Sequence, residues 1–71
     1  MKALIVIKKN KITRFLVELD TDKLVEEVAV LVAKKKYSEA VAIVIARGRI
    51  EGEVSESNAK KVKADLIIEE W

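Results

Sequence analysis

The chain has 71 residues, enough for one small domain spanning 1–71, with a formal net charge of +2 and a pI near 9.0. It contains no Cys and no His, which excludes disulfides, thiolate metal sites and the usual general base of hydrolases. We therefore expect neither an enzyme nor a cofactor. Apolar residues make up 51% of the sequence, more than so short a chain can bury, so we expect a homo-oligomer in which another copy covers part of the surface.

No apolar segment is long enough to span a bilayer, and the first ten residues, MKALIVIKKN, lack a small-residue cleavage pattern. We therefore expect a cytoplasmic protein that does not use a membrane as a partner. Abundant Lys, Glu, Val and Ile with no Pro are typical of a heat-adapted protein or of a designed domain.

The N-terminal part of the chain predicts a β-hairpin. Residues 3–7 and 12–19 are rich in β-branched residues, and Asn10 between them tolerates the backbone of a tight turn. In the second strand, Phe15, Val17 and Leu19 share one face, while Arg14, Leu16 and Glu18 share the other. This alternation predicts that the strand is buried on one side.

A helix is predicted after the hairpin. Asp20-Thr21-Asp22 supplies capping oxygens and negative charge for its start. Apolar residues then recur at helical spacing: Leu24, Val28, Leu31 and Val32, with Val25 and Ala29 widening the stripe. Val30 falls on the polar side near Glu26 and Glu27, which indicates a second contact surface.

The apolar run 40–46, which lies within Ser38 to Arg49, predicts a central strand at about 39–47 because it is rich in β-branched residues. Residues 50–63 fit either a second helix or a hairpin strand with a turn at 55–58. The last segment, 64–71, predicts a strand with Leu66 and Ile68 on one face and Trp71 at its end. The expected fold class is α/β (α+β): a small mixed sheet, ββαβαβ or ββαβββ, with one or two helices packed on it.

Basic residues form the most suggestive set of candidate functional residues. They are Lys8, Lys9 and Lys11 in the first turn, Lys34, Lys35 and Lys36 at the helix end, Arg47 and Arg49 after the apolar run, and Lys60, Lys61 and Lys63 late in the chain. Brought to one face, the first eight would bind the phosphate backbone of duplex DNA or RNA with little sequence specificity. Taken alone, each cluster is more simply explained as a well-hydrated surface.

Residues 24–50 resemble part of the Alba family of small archaeal chromatin and RNA-binding proteins. The likeness lies in LVEEVAVLVAKKK, in Tyr37-Ser38-Glu39, and in Val44-Ile45-Ala46-Arg47-Gly48-Arg49-Ile50, which is similar to an ARGRAI-like family motif. The resemblance implies a dimer with a β-α-β-α-β-β plan that binds duplex nucleic acid through basic loops and arms. By resemblance, Arg47 and Arg49 would contact the nucleic acid.

The five residues Arg47-Gly48-Arg49-Ile50-Glu51 are also similar to a turn of dodecins, small flavin-storing oligomers with a β-α-β-β plan. In dodecins the aromatic residue that stacks on flavin would follow Ser38, where this chain has Glu39 and Ala40. Three hypotheses therefore stand: an oligomeric nucleic-acid-binding protein, a structural or protein-interaction module of natural or designed origin, and a flavin-binding oligomer.

Overall fold

The computed structural model describes residues 1–70, so the prediction for Trp71 lies outside the described residues. Four strands and three helices follow in chain order: β1 Lys2–Ile7, β2 Thr13–Glu18, α1 Asp22–Ala33, α2 Tyr37–Arg47, β3 Arg49–Glu53, α3 Glu56–Ala59 and β4 Leu66–Glu70.

The strands form one mixed sheet in the order β3-β2-β1-β4. β1 pairs antiparallel with β2 and parallel with β4, and β2 pairs antiparallel with β3. The predicted α+β class with a mixed sheet is confirmed. The element order, ββααβαβ, differs from both predicted orders because two helices follow the hairpin instead of one.

The predicted strand at 39–47 is wrong, since this segment forms the helix α2. Its buried residues are Ala40, Val41 and Val44, which recur at helical spacing, whereas Ile45 is 39% exposed. The alanines in the run favour a helix, and the β-branched residues tolerate one when they pack against a sheet. The apolar run therefore covers the sheet instead of forming its centre.

The apolar strand in the interior of the sheet is β1. Ala3 and Ile5 point towards the helices, Leu4 and Val6 point to the opposite face, and these four side chains are at most 6% exposed. β1 can be apolar on both faces because β2 and β4 flank it on either side. The predicted hairpin is confirmed, although its connection spans 8–12 and Lys35, not Asn10, is the non-glycine residue with a positive φ in the described chain.

Residues 50–63 combine features of both predicted alternatives. Residues 49–53 form β3, and Ser55 begins the four-residue helix α3 by accepting a hydrogen bond from the Asn58 amide at 3.3 Å. Leu16 faces Gly52 and Val17 faces Ile50, so β3 carries an irregularity at this point. Gly52 has φ +157°, a backbone conformation that other residues rarely adopt.

The core lies between the sheet and the two longer helices. Its buried members are Ala3, Ile5, Val17, Leu19, Leu24, Val28, Ala40, Val41, Val44 and Ile68. Phe15 and Leu66 pack against this cluster from the strands, as the alternation in β2 and β4 predicted. The predicted start of α1 is also confirmed, since the Leu24 amide donates to Thr21 Oγ1 at 3.2 Å.

Candidate interaction surfaces

The predicted phosphate-binding residues lie in three parts of the fold. Lys8, Lys9 and Lys11 belong to the hairpin connection, Lys34 to Lys36 form the turn between α1 and α2, and Arg47 and Arg49 flank Gly48 between α2 and β3. Arg49 lies opposite Glu18 at one end of β2, whereas the hairpin lysines follow the Ile7–Thr13 pair at the other end. The two ends are about 17 Å apart at the usual rise per strand residue.

The three lysines in the turn between α1 and α2 are also distant from Arg47 and Arg49. α2 begins directly after Lys36 and ends at Arg47. An 11-residue helix is about 16 Å long, so its two ends cannot bind the same phosphate. The structure therefore does not bring Arg47 and Arg49 together with either lysine group.

Most of the predicted cations have carboxylate partners within the chain. The ion pairs are Lys8–Glu69 at 3.2 Å, Lys9–Glu70 at 3.8 Å, Lys36–Glu39 at 4.0 Å, Arg49–Asp20 at 3.7 Å and Arg47–Glu27. Within residues 1–70, Lys11, Lys34 and Lys35 have no carboxylate within 4.0 Å. Only these three of the eight predicted residues keep their charge locally uncompensated.

Two further ion pairs lie at the end of β2 where Glu18 is opposite Arg49 of β3. The Met1 ammonium donates to Glu18 Oε2 at 2.6 Å, and this hydrogen bond lowers the pKa of Glu18 and raises the pKa of the ammonium. The Lys2 Nζ donates to Glu51 Oε1 at 2.8 Å, which raises the pKa of Lys2. These contacts join β1 to β2 and β3, so the charges act within the fold.

An apolar groove lies along α1 and α2. It has a volume of about 510 Å³ and is lined by Glu26, Glu27, Val30, Leu31 and Ile43. Val30 is 50% exposed, although it is an aliphatic residue in the middle of a helix. Leu31 and Ile43 are only partly buried where they pack against the core, so the groove floor stays accessible.

The groove has an acidic rim with two different carboxylates. Glu27 accepts a hydrogen bond from the Arg47 guanidinium, which neutralises it. Glu26 has no cationic group within 4.0 Å in the described part of the chain. The rim therefore offers one uncompensated negative charge beside an apolar floor.

One half of this groove was predicted from the sequence. Val30 beside Glu26 and Glu27 indicated a second contact surface on α1, and the structure places all three at the groove. The contribution of Ile43 was missed because its segment was predicted to be a strand. The alanines of the run were the available signal for a helix, and on that helix Ile43 lies beside the buried stripe.

A second groove lies away from α1 and α2. It has a volume of about 500 Å³ and is lined by Ser55, Glu56, Ser57 and Lys60 around the short helix α3. Among residues 1–70, no three Asp or Glu side chains converge in a way that could hold a metal ion. None of the described helices has the length and apolarity needed to cross a membrane.

No family model matches this chain, and no curated protein or solved structure matches it. The likeness to the Alba family thus stays a prediction. Of the residues that carry it, 24–36 belong to α1 and the turn after it, in agreement with the helix that the resemblance implies. Residues 37–50 form the helix α2 and the start of the strand β3, where the resemblance implies a strand followed by a helix.

Proposed function

We propose that this chain is a small, non-catalytic protein-interaction module that binds its partner through the α1–α2 groove. The observation that carries the proposal is the exposure of Val30, 50%, at the centre of an apolar groove. An exposed aliphatic side chain alone is ordinary, but one that continues into a partly buried floor of Leu31 and Ile43 forms a contiguous apolar surface. Burying such a surface against a partner removes it from water.

The charges support the same function. The cations that would bind phosphate are mostly paired within the chain, so they offer a polyanion little free charge. The groove instead combines an apolar floor with a polar rim, which is the usual anatomy of a protein–protein contact.

Site-specific photo-crosslinking tests this proposal. A photoreactive amino acid replaces Val30 in the groove, and a second variant carries it in place of Ile12. Ile12 is the matched control because it is an aliphatic residue of similar exposure, 52%, that does not line the groove. We expect a discrete crosslinked protein adduct from position 30 and none from position 12. Equal yields at both positions, or no adduct from position 30, would overturn the proposal.

Nucleic-acid binding is the second candidate function. It is favoured by Lys11, Lys34 and Lys35, which lie on exposed turns without a carboxylate within 4.0 Å in residues 1–70, and by the net charge of +2. Few phosphates would be neutralised by three lysines, so the expected binding is weak, backbone-directed and strongly dependent on salt.

Fluorescence anisotropy of labelled duplex DNA and RNA, titrated at low and at physiological salt, tests the second candidate. Binding that falls steeply with salt and weakens in a Lys11→Glu/Lys35→Glu variant supports it. The matched control is Lys9→Glu/Lys36→Glu, which reverses the same number of charges at lysines that already face Glu70 and Glu39. Equal losses in both variants, or no binding at low salt, would remove Lys11 and Lys35 from the site.

A further inference from the structure

The charges beside the groove indicate which partner it binds. This inference rests on the proposed function. We infer that the groove binds a second copy of the chain, with the two α1 helices antiparallel and crossing at Val30. The contact is isologous, so the same surface of each copy takes part.

Three residues are aligned in a row along α1. Glu26, Val30 and Lys34 are spaced four residues apart, and such residues lie one above the other on a helix. Lys34 belongs to this row although it is the C-cap, because its amide still donates to the Val30 carbonyl at 3.0 Å. The row is therefore an acid, an exposed aliphatic residue and a base, in that order.

A two-fold axis at Val30 determines which residues of the two rows meet. An antiparallel copy reverses the row, so Glu26 lies opposite Lys34 of the partner subunit and Lys34 lies opposite Glu26 of the partner subunit. The two Val30 side chains meet at the centre. Both ion pairs form by symmetry, and a parallel arrangement would instead place like charges opposite each other.

These two charges lack partners within their own chain. In residues 1–70 neither Glu26 nor Lys34 has an opposite charge within 4.0 Å. Two nearby charges are already paired, since Glu27 binds Arg47 and Lys36 lies 4.0 Å from Glu39. Lys35 is also without a carboxylate within 4.0 Å in this part of the chain, but it lies outside the row, so Glu26 and Lys34 are the unpaired charges that the symmetric contact would pair.

The size of the contact surface indicates how tightly the two copies should bind each other. We expect a contact made by one 12-residue helix and the adjoining groove to bury less than the roughly 800 Å² per partner of a standard interface. The dimer should therefore be weak, form at high protein concentration, and dissociate further at high salt as the exposed ion pairs are screened.

Sedimentation equilibrium across a protein concentration series tests the inference. Glu26→Lys and Lys34→Glu each place like charges opposite each other twice, so each variant should raise the dimer dissociation constant by roughly tenfold or more. The double variant Glu26→Lys/Lys34→Glu restores opposite charges and should return the constant to within about threefold of the wild type. Circular dichroism of each variant verifies that the fold is kept.

Glu56→Lys and Lys60→Glu are the matched controls, because they make the same charge changes on and beside α3, outside the groove. They should leave the dissociation constant unchanged. A protein that is monomeric at every concentration, or a double variant that is as weak as the single ones, would overturn the inference.

The crosslinking experiment separates this inference from the proposed function. An adduct from position 30 at twice the mass of the chain supports both. An adduct with a different protein, from a chain that sediments as a monomer, retains the interaction module but overturns the second copy as the partner. Absence of any adduct overturns both.

Discussion

Gly48 shows how a single residue controls the contact between α2 and the sheet. A Cβ at this position would lie 2.6 Å from Val17 Cγ1 and 2.6 Å from the Val44 carbonyl oxygen. Both distances are shorter than van der Waals contact, so the end of α2 approaches β2 more closely than any other residue would allow. The backbone at Gly48 has φ −79°, and the constraint is therefore steric and not conformational.

We expect Gly48→Ala to lower the free energy of unfolding by about 1–3 kcal/mol, the usual cost of overpacking. Val17→Ala removes one of the two atoms that the new methyl group would strike, and the Val44 carbonyl oxygen remains. The combined loss in Gly48→Ala/Val17→Ala should thus be smaller than the sum of the single losses in urea denaturation. Additive losses would contradict the proposed clash.

The ion pair between Glu18 and the Met1 ammonium makes the stability of the fold depend on pH. Its pKa is held below the usual 4.5 by the hydrogen bond from the Met1 ammonium, whose own pKa is raised above 8.0. The unfolded carboxyl therefore binds protons more readily than the native one, so the pair stabilises the fold above about pH 4.5. This contribution is lost as pH falls through the native pKa of Glu18, and also as pH rises through the native pKa of the ammonium.

The variant Glu18→Gln keeps the shape of the side chain and removes its charge. We expect a lower melting temperature than the wild type between about pH 5 and 8, with the difference shrinking on both sides of this window. Melting curves measured across the pH range provide the check. A constant difference at all pH values would show that the charge does not contribute.

Two helices begin with a side-chain hydrogen bond that stabilises their first turn. Thr21 Oγ1 accepts from the Leu24 amide at the start of α1, and Ser55 Oγ accepts from the Asn58 amide at the start of α3. α1 contributes buried Leu24 and Val28 to the core, whereas α3 has four residues and buries none of them. Loss of the first cap should therefore affect the whole protein.

We expect Thr21→Ala to cost about 1 kcal/mol of unfolding free energy, and Ser55→Ala clearly less. The two substitutions remove the same kind of hydrogen bond, so each is the control for the other. Chemical denaturation measures both. An equal cost would mean that α3 is as tightly coupled to global unfolding as α1.

The stability of the whole protein depends on the side chains buried on the interior strand β1. Ile5 is fully buried and lies between Phe15 and Ile68 in the strand pairing, while Ile67 on β4 is 59% exposed. Ile5→Ala should cost about 2–5 kcal/mol, a large share of the ~5–15 kcal/mol typical of a domain. Ile67→Ala should change stability by only about 0.5 kcal/mol.

Urea unfolding of both alanine variants at low protein concentration measures this contrast. The two substitutions delete the same atoms, so burial is the main difference between them. Similar losses would mean that Ile67 is covered in solution, which the isolated chain does not predict.

The elements that local patterns predicted well are those with one dominant period. Alternation in β2 and helical spacing in α1 each placed the apolar residues on a single face, and the structure buries Val17, Leu24 and Val28 on those faces. Ala29, which was predicted to widen the stripe of α1, is exposed. The α2 segment lacked such contrast, because all seven residues of its run are apolar. A continuous apolar run has no polar positions to reveal its period, so β-branched content favoured the wrong element.

The candidate groove could be predicted only in part from the sequence, for the same reason. Val30 stood out because it interrupts the polar side of an amphipathic helix. The other wall of the groove, with Ile43, depends on α2 being a helix and packing beside α1. The basic residues could be counted, but their separation and their carboxylate partners depend on contacts between residues as distant in sequence as Lys8 and Glu69.

Local sequence patterns were enough to predict the hairpin, the capped helix α1, the last strand and the α+β class, because hydrophobic period and capping act between neighbouring residues. Three outcomes are visible only in the folded chain: 37–47 is a helix, β1 lies inside the sheet with both faces buried, and most of the predicted cations are already paired with carboxylates. These outcomes depend on burial and on distances between residues remote in the chain, and local propensity does not encode either quantity.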